Sequence, residues 1–443
     1  MSMGGRTQPR QNRSANRKLV VRRNHINFRR MELRIGLALE SPERLVTEPG
    51  VAWINTAALL KLNSWGQFVQ AIRKSVAEAR RAASGASEEL AVNLHLEGLN
   101  QALITHIGHP ALDRSGLDKL RTAIRVIVGQ TKGLPRTGAK HSDLPAFAPD
   151  DQSALLRYGN VELRVIENYL TRPAELEETL VALLPRADDD PAMWERGKPS
   201  HYLATDDLDL NLRRLFTNAG FYCPTNHTDA WNVLRQWCDL YLAALQNSTL
   251  VGYPGAYPFY FVIQRLLWER SGQVPIYVRH PRPAEVYPCF AGKRVLFVSP
   301  LAKQAESQVN SGRIKRFFKD FEVPDFSFRA VPAWISTWPN RPHQSWSDTF
   351  GRLCEAVDRA FEDEPFDVFL ASCGCYGLPV CQHVRSRYAS RTIYLGNIAN
   401  AFFGVRQQGT RHLWQGRVEE TLWVEGDLSK YRFLDRIDGG RYV

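Results

Sequence analysis

The sequence predicts an α/β protein with a Rossmann-like, mainly parallel sheet that has helices on both faces, preceded by a mainly helical N-terminal region. From residue 153 onward, short apolar runs alternate with amphipathic helical patterns, which is typical of parallel strands joined by helical crossovers. Two of these runs, 366–371 and 392–395, are each followed by a turn that contains glycine. Such turns lie along one edge of a parallel sheet, where backbone N–H groups can bind a phosphate. The sequence therefore indicates a ligand of the nucleotide type.

Length and composition favour a cytoplasmic protein of two domains. The chain has 443 residues, of which 44% are hydrophobic, and this is enough to bury a large core. No apolar run reaches the roughly 18 residues expected of a membrane-spanning helix, and the N-terminus lacks the apolar region of a signal peptide. The seven cysteines show no secreted disulfide framework, so reduced thiols are expected.

The positive charge of the chain is concentrated at its beginning. The net charge is +11, and residues 1–30 alone contribute nine Lys and Arg side chains and no acid, which leaves +2 for the remainder. We expect residues 1–30 to be a basic, disordered arm that could contact an anionic surface such as nucleic acid or a membrane. The alternatives are a tail without a partner, or sequence upstream of a translation start at Met31. The nearly neutral remainder gives no indication of a nucleic-acid-binding domain.

Three further segments follow the arm. Residues 31–128 are predicted to be mainly helical, because Ser64 and Ser115 each precede an apolar pattern with helical spacing. Residues 129–152 contain three glycines and three prolines, which predicts a linker. The α/β domain is predicted to span residues 153–443.

The predicted strands of the α/β domain are short apolar runs, and the predicted helices between them have one apolar face. About six strands separated by helices imply a parallel sheet in a three-layer arrangement. The strands are predicted at 154–158, 250–252, 295–298, 326–331, 368–371 and 393–395, with helices that include 302–319 and 377–388.

Five segments, in this order, resemble the GT-D-fold glycosyltransferases, a family first described as a domain of unknown function. The resemblance covers about residues 150–443. It implies transfer of a sugar from a UDP-sugar to a glycan or glycoconjugate acceptor in polysaccharide or surface-glycan biosynthesis, with Mn or Mg as the divalent cation. The segments are SALLRYGNVE at 153–162, TNAGF at 217–221, GKRVLFVSP at 292–300, SCGCYGLP at 372–379 and LGNIANAFFG at 395–404.

The acidic motif of the family is altered in this chain. The family has Asp, any residue and Glu, whereas Asn160, Val161 and Glu162 stand at the matching positions. Asparagine still offers a carbonyl oxygen to a hard cation but removes one negative charge. The resemblance implies Glu162 and Asn160 as metal ligands and Glu162 as the catalytic residue. The alternative for Glu162 is a surface carboxylate in the first turn of a helix, where the helix dipole favours it.

The other candidate residues would bind the nucleotide part of the donor. Arg157 could pair with a phosphate or with a structural carboxylate, and Gly159 permits close approach of the backbone. Ser299 could donate to a phosphate or cap a helix. The remaining candidates, each in a turn or at a helix entry, are Asn218, Gly220, Gly374, Gly377, Gly396, Asn397 and Arg411.

Two other motifs are weaker. Cys373, Cys375, Cys381 and His383 form a cluster without the paired spacing of common zinc sites, so buried thiols are the better interpretation. The Asp-Leu-Asp at 207–209 matches a motif of another glycosyltransferase fold but lies in a segment rich in aspartate. We interpret it as a solvated loop.

Three alternative functions follow from the same sequence. The first is a non-catalytic relative, altered at Asn160, that binds a nucleotide-sugar as a scaffold or partner subunit. The second is a dinucleotide-dependent oxidoreductase, which predicts a glycine-rich turn after the first strand and an acid after the second. Neither feature is evident. The third is nucleic-acid binding by the basic arm.

Overall fold

The structure, a computed structural model, describes two units of the chain. It describes residues 154–184, 207–246, 248–251, 265–270, 277–278, 281–410 and 414–432, and before residue 142 the segments 30–36, 51–55 and 89–92 with a few helical positions. The two compact units are residues 1–141 and 142–443, and the division between them lies inside the segment 129–152. The predicted arm 1–30, except for Arg30, lies outside the described residues.

The N-terminal unit contains a three-stranded parallel sheet that the sequence analysis did not predict. Strands β1 (Arg30–Gly36), β2 (Val51–Asn55) and β3 (Glu89–Val92) lie in the order β2-β1-β3. Gln70, Lys74, Ala77 and residues 115–116 are helical. The prediction of a mainly helical region is therefore not confirmed. The sequence of β1, RMELRIG, alternates charged and apolar residues, which is the period of a strand rather than of a helix.

The second unit is built on one seven-stranded parallel sheet. The strands lie in the order β6-β5-β4-β10-β9-β7-β8, and every neighbouring pair is parallel. The prediction of an α/β protein with a mainly parallel sheet is confirmed. The strands are β4 (Ala154–Arg157), β5 (Ser248–Val251), β6 (Tyr277–Val278), β7 (Arg294–Ser299), β8 (Ser327–Pro332), β9 (Val368–Ala371) and β10 (Arg391–Tyr394).

Helices connect these strands, as parallel pairing requires. A short parallel pair, β11 (Val405–Arg406) and β12 (Val424–Glu425), follows the last strand of the main sheet. The helices are α1 (Asn160–Thr171), α2 (Pro173–Leu183), α3 (Leu208–Arg214), α4 (His227–Leu245), α5 (Pro283–Val286), α6 (Ala302–Asn310), α7 (Trp346–Asp363), α8 (Gly377–Arg387) and α9 (Ile398–Phe402).

One predicted helix is shorter than expected. The sequence predicted a helix over 302–319, but α6 ends at Asn310. Gly312 has a left-handed φ of 71°, and its N–H donates to the carbonyl of Val309 at 2.9 Å. A left-handed residue of this kind ends a helix. The chain then continues in a separate 3-10 turn, Arg313–Arg316.

Both faces of the central strands are buried. Val295 and Phe297 of β7 belong to a large apolar cluster that also contains Tyr287 and Phe402. Successive side chains of a strand point to opposite faces, and the alternate residue Leu296 is fully buried as well. Helix α8 packs against β9 and β10. In the part of the chain that the structure describes, no helix is both long enough and apolar enough to cross a membrane.

Candidate functional site

The carboxyl ends of β4, β9 and β10 carry most of the predicted site residues. These three strands are neighbours in the order β4-β10-β9. Because all are parallel, the segments that follow them lie at the same edge of the sheet, where ligands of α/β proteins bind. Arg157 and Gly159 lie at the end of β4, Gly374 and Gly377 follow β9, and Gly396 follows β10.

Glu162 is buried at this edge, in the first turn of α1. Glu162 is 8% exposed, so it is not the surface carboxylate of the alternative interpretation, although that interpretation placed it correctly in the first turn of a helix. A Cβ placed on Gly159 would lie 1.8 Å from Glu162 Oε2, and glycine is therefore required for the carboxylate to lie here. The N-terminal turn of a helix favours a negative charge. The structure thus provides a buried anionic group at the end of β4.

Arg157 extends from β4 across the turn that follows β10. Its Nη1 donates to the carbonyl of Leu395 at 3.3 Å. A Cβ on Gly396 would lie 2.0 Å from the same Nη1, and Gly396 also has a left-handed φ of 64°. Two physical requirements therefore select glycine at position 396. The result is a half-buried guanidinium held at the boundary between β4 and β10.

Two buried phenols lie next to these charged groups. Burial raises the pKa of Tyr241 and of Tyr394 well above the ordinary value of 10.0, and the negative charge of Glu162 raises both further, while the charge of Arg157 opposes the shift. Gly159 N–H donates to the Tyr241 hydroxyl at 3.4 Å. The Tyr394 hydroxyl donates to the carbonyl of Gly374 at 2.9 Å. Both phenols are therefore neutral hydrogen-bonding groups at physiological pH.

We call this group the Arg157 cluster. Sequence analysis predicted its charged and glycine members but missed the two tyrosines. Tyr241 is on α4, on the buried face of an amphipathic helix, and its position there indicated only core packing. The cluster consists of Arg157, Gly159, Glu162, Tyr241, Gly374, Tyr394 and Gly396.

The predicted Gly377 adjoins this cluster, and its member Gly374 lies against another segment. A Cβ on Gly377 would lie 2.0 Å from Cε2 of the Tyr394 ring, and a Cβ on Gly374 would lie 2.6 Å from the carbonyl oxygen of Ala219. The turn that contains Asn218 and Gly220 therefore touches the turn after β9. Asn218 is half-buried and accepts a hydrogen bond from the Thr217 hydroxyl at 3.0 Å.

Ser299 belongs to a different polar group, which we call the Asn400 network. The Ser299 hydroxyl donates to Asn400 Oδ1 at 2.6 Å and accepts from the N–H of Leu301 at 3.0 Å. Asn400 Nδ2 donates to the Ser372 hydroxyl at 3.0 Å and to Gln407 Oε1 at 3.4 Å. Ser299 is fully buried and its single hydrogen is already used. The hydrogen of Ser299 is therefore not available to a phosphate, and its oxygen holds the chain just before α6, whose N-cap residue is Leu301.

The remaining predicted residues are placed only in part. Asn397 precedes α9 and is half-buried. Asn160 is the first residue of α1, but its side chain is outside the described residues. Arg411 is also outside them.

No metal site can be assigned from the described side chains. Among them, no group of three or more His, Cys, Asp or Glu residues is arranged to hold a metal ion. The cysteines, including those considered for zinc, are all buried and free, and burial raises the pKa of Cys354 to about 12. Asp207 Oδ1 accepts from Leu210 N–H at 3.1 Å, so the Asp-Leu-Asp motif begins helix α3 instead of forming a loop.

A surface concavity lies on the exposed face of α4. Its volume is about 480 Å³. It contains no predicted site residue, and its lining residues occupy the side of the helix opposite to Tyr241. We therefore place the candidate site at the Arg157 cluster. The concavity is lined by Asn232, Arg235, Gln236, Asp239 and Leu240.

Comparison with known proteins does not add to this geometry. No family model, no curated protein and no solved structure matches the chain.

Proposed function

We propose that the chain is a glycosyltransferase that moves a sugar from a nucleotide-sugar, a UDP-sugar, to a glycan or glycoconjugate acceptor. One observation carries the proposal: Arg157 and Glu162 lie together at the carboxyl end of β4, next to the end of the neighbouring parallel strand β10, and glycines provide the space for both. This is the position at which α/β sheets bind nucleotides. The GT-D-like order of the five sequence segments supports the same function.

Arg157 is assigned to the diphosphate of the donor. Negative charge accumulates on the leaving diphosphate in the transition state, and a guanidinium stabilises it through charge-assisted hydrogen bonds. The turn after β9 is assigned to the same ligand through its backbone N–H groups. Its carbonyls are already occupied, because Tyr394 donates to Gly374 and the Trp237 indole donates to Cys375 at 3.0 Å.

Glu162 is assigned to the acceptor hydroxyl. An ionised carboxylate within reach of that hydroxyl can take its proton as the glycosidic bond forms. The resemblance predicted Mn or Mg at Glu162 and Asn160. The described donors do not fit a hard cation, which needs about six oxygens, since Glu162 is accompanied by a cationic Arg157 and two neutral phenols. We therefore assign charge compensation to Arg157 and derive no step through a metal.

The proposal also includes the type of sheet and the cellular location of the protein. We propose that the seven-stranded sheet is Rossmann-like, with the donor across the β4–β10 boundary. We also propose a cytoplasmic location, which the free thiols favour because reduced cysteines persist in that compartment.

Measurements of donor binding and transfer test the proposal directly. Isothermal calorimetry with UDP and a panel of UDP-sugars, with and without Mn, is expected to show binding by the wild type. Glu162→Gln is expected to lower sugar transfer by about 10²-fold or more and to leave UDP binding largely intact. Arg157→Gln is expected to weaken UDP binding.

The matched control is Glu285→Gln. Glu285 is also a carboxylate in the first turn of a helix, but it belongs to α5, where it accepts from Arg282 N–H at 2.7 Å. Transfer by this variant is expected to equal that of the wild type. A wild type that binds neither UDP nor any UDP-sugar would end the proposal.

The second candidate is a non-catalytic nucleotide-sugar-binding relative. Asn160 favours it, because it stands where the family has an acid. This function predicts UDP binding without transfer or hydrolysis, and equal behaviour of the wild type and Glu162→Gln.

A further inference from the structure

A buried hydroxyl pair connects the two turns that meet at the Arg157 cluster. The Ser336 hydroxyl lies 2.5 Å from the carbonyl oxygen of Gly220 and 2.7 Å from the hydroxyl of Tyr376. Ser336 is 1% exposed and Tyr376 is 2% exposed. These three residues come from three separate segments: the turn after α3, the loop after β8 and the 3-10 turn Gly374–Tyr376.

The direction of both hydrogen bonds follows from counting hydrogens. The carbonyl of Gly220 has none, so the single hydrogen of Ser336 must be donated to it. The Ser336 oxygen can then only accept from Tyr376, and the Tyr376 hydrogen is donated to Ser336. Both hydrogen bonds therefore have one direction: Tyr376 donates to Ser336, and Ser336 donates to Gly220.

The two turns are in direct contact next to this pair. Gly220 ends the turn 215–219 with a left-handed φ of 86°, and its N–H and that of Phe221 both donate to the carbonyl of Leu215. The neighbouring carbonyl of Ala219 approaches Gly374 so closely that a Cβ there would lie 2.6 Å from it. A shift of Gly220 would therefore change the position of Gly374 at the candidate site.

We propose that Ser336 and Tyr376 are positioning residues, which hold the Asn218–Gly220 turn against the Gly374 turn and so set the geometry of the nucleotide site. The assignment of that geometry to a nucleotide rests on the proposed function. Neither hydroxyl is available to a ligand, because both hydrogens are used internally. Sequence analysis did not single out either residue.

The test is a double-mutant cycle with Ser336→Ala and Tyr376→Phe. The Phe variant keeps the ring that stacks on Trp346 at 5.5 Å. Amide hydrogen exchange of Gly220 and Phe221 reports opening of the turn, and calorimetry reports UDP affinity. Each single variant is expected to speed exchange by about tenfold and to weaken UDP binding. For exchange at Gly220, the double variant is expected to be no worse than Ser336→Ala alone, because the two hydroxyls act in series. The Tyr376 hydroxyl also has a hydrogen bond with Thr349, so the free energy of unfolding of each variant is measured as well.

Two further variants separate positioning from general loss of stability. Tyr287→Phe removes an equally buried phenol that donates to the carbonyl of Phe402 at 2.6 Å. Any change in exchange at Gly220 in this variant is expected to be no larger than the change in the strands of the main sheet. Ser336→Thr retains the hydroxyl, and its UDP affinity is expected to be close to that of the wild type and higher than that of Ser336→Ala. Additive effects of Ser336→Ala and Tyr376→Phe on exchange at Gly220 would overturn the proposal. Unchanged exchange at Gly220 in Ser336→Ala would overturn it as well. A wild type that does not bind UDP would end the proposed function alone, because the exchange rates decide the positioning role independently.

Discussion

The carboxyl edge of the main sheet carries two polar groups that differ in charge. The Asn400 network joins the ends of β7 and β9 with amides and hydroxyls that satisfy one another. The Arg157 cluster joins the ends of β4 and β10 and contains a cation, an anion and two phenols. Both groups are largely buried, and both lie where a nucleotide could bind. Burial of polar atoms at a sheet edge therefore does not by itself distinguish a binding site from a structural one.

The two groups differ in the kind of side chain that they contain. In the Asn400 network, the hydrogen of Ser299 is donated to Asn400 and the amide of Asn400 is donated in turn, so a ligand would have to break these bonds. In the Arg157 cluster, glycines place backbone beside charged side chains. Buried charge is costly unless something compensates for it. We therefore expect the first group to contribute to stability and the second to contribute mainly to function.

The largest effect is expected from Gly377→Ala, which tests whether close packing forms the Arg157 cluster. The new Cβ would lie 2.0 Å from the Tyr394 ring, and this ring is buried and hydrogen-bonded to Gly374. Because the ring has to move, we expect the free energy of unfolding to fall by about 3 kcal/mol in guanidinium denaturation.

The control is Gly351→Ala, on the exposed side of α7, where nothing lies within 4 Å of the new Cβ. Removing a glycine from the middle of a helix is expected to raise the free energy of unfolding by about 0.5–1 kcal/mol. Equal effects of the two substitutions would mean that Tyr394 can move away easily. The packing argument for the Arg157 cluster would then be lost.

Asn400→Ala is expected to separate stability from binding. The change leaves Ser299, Ser372 and Gln407 without their shared partner, and we expect a loss of about 2 kcal/mol in the free energy of unfolding. UDP affinity of the folded variant should not change, because the network is not assigned to the ligand. Asn310→Ala, at the exposed end of α6, is the control and should stay within about 0.5 kcal/mol of the wild type. Lost UDP binding by a folded Asn400→Ala variant would contradict the division of the edge into two groups.

Six of the seven strands of the main sheet were predictable because each contains a short apolar run, whereas β6 (Tyr277–Val278) was missed. Strand β9 was predicted with its observed bounds, and β7 and β8 to within one or two residues. Strands buried on both faces are apolar at most positions, and this signal is local. In the N-terminal unit, β1 alternates between apolar and charged residues, and the helical patterns nearby obscured this shorter period.

The candidate site was predictable only where its members lie next to a strand in the sequence. Glu162 and Gly159 follow β4 directly, and a turn glycine followed by an acid at a helix start is visible in the sequence. Tyr241 is 82 residues from Gly159, and Asn400 is 101 residues from Ser299. Contacts of this kind are created by the order of strands in the sheet. Without these contacts, the sequence left both phosphate binding and helix capping open for Ser299, and it did not indicate Tyr241 as a site residue.

The smallest effect, and one that depends on pH, is expected from Tyr394→Phe. At pH 7 the variant leaves the carbonyl of Gly374 without its phenol donor, which we expect to cost about 1 kcal/mol. Burial and the charge of Glu162 raise the pKa of Tyr394 well above 10.0. The neutral phenol therefore stabilises the wild type fully below pH 10, and this contribution is lost as pH rises further, because the unfolded phenol ionises first.

Denaturation of both proteins between pH 7 and 11 measures this effect. The difference between the wild type and Tyr394→Phe should narrow above about pH 10, because the variant lacks the titrating group, while the other tyrosines titrate equally in both proteins. The loss caused by Asn400→Ala should stay constant over the same range, since the Asn400 network contains no titratable side chain. If the two losses followed the same pH dependence, charge would not distinguish the two groups at the carboxyl edge.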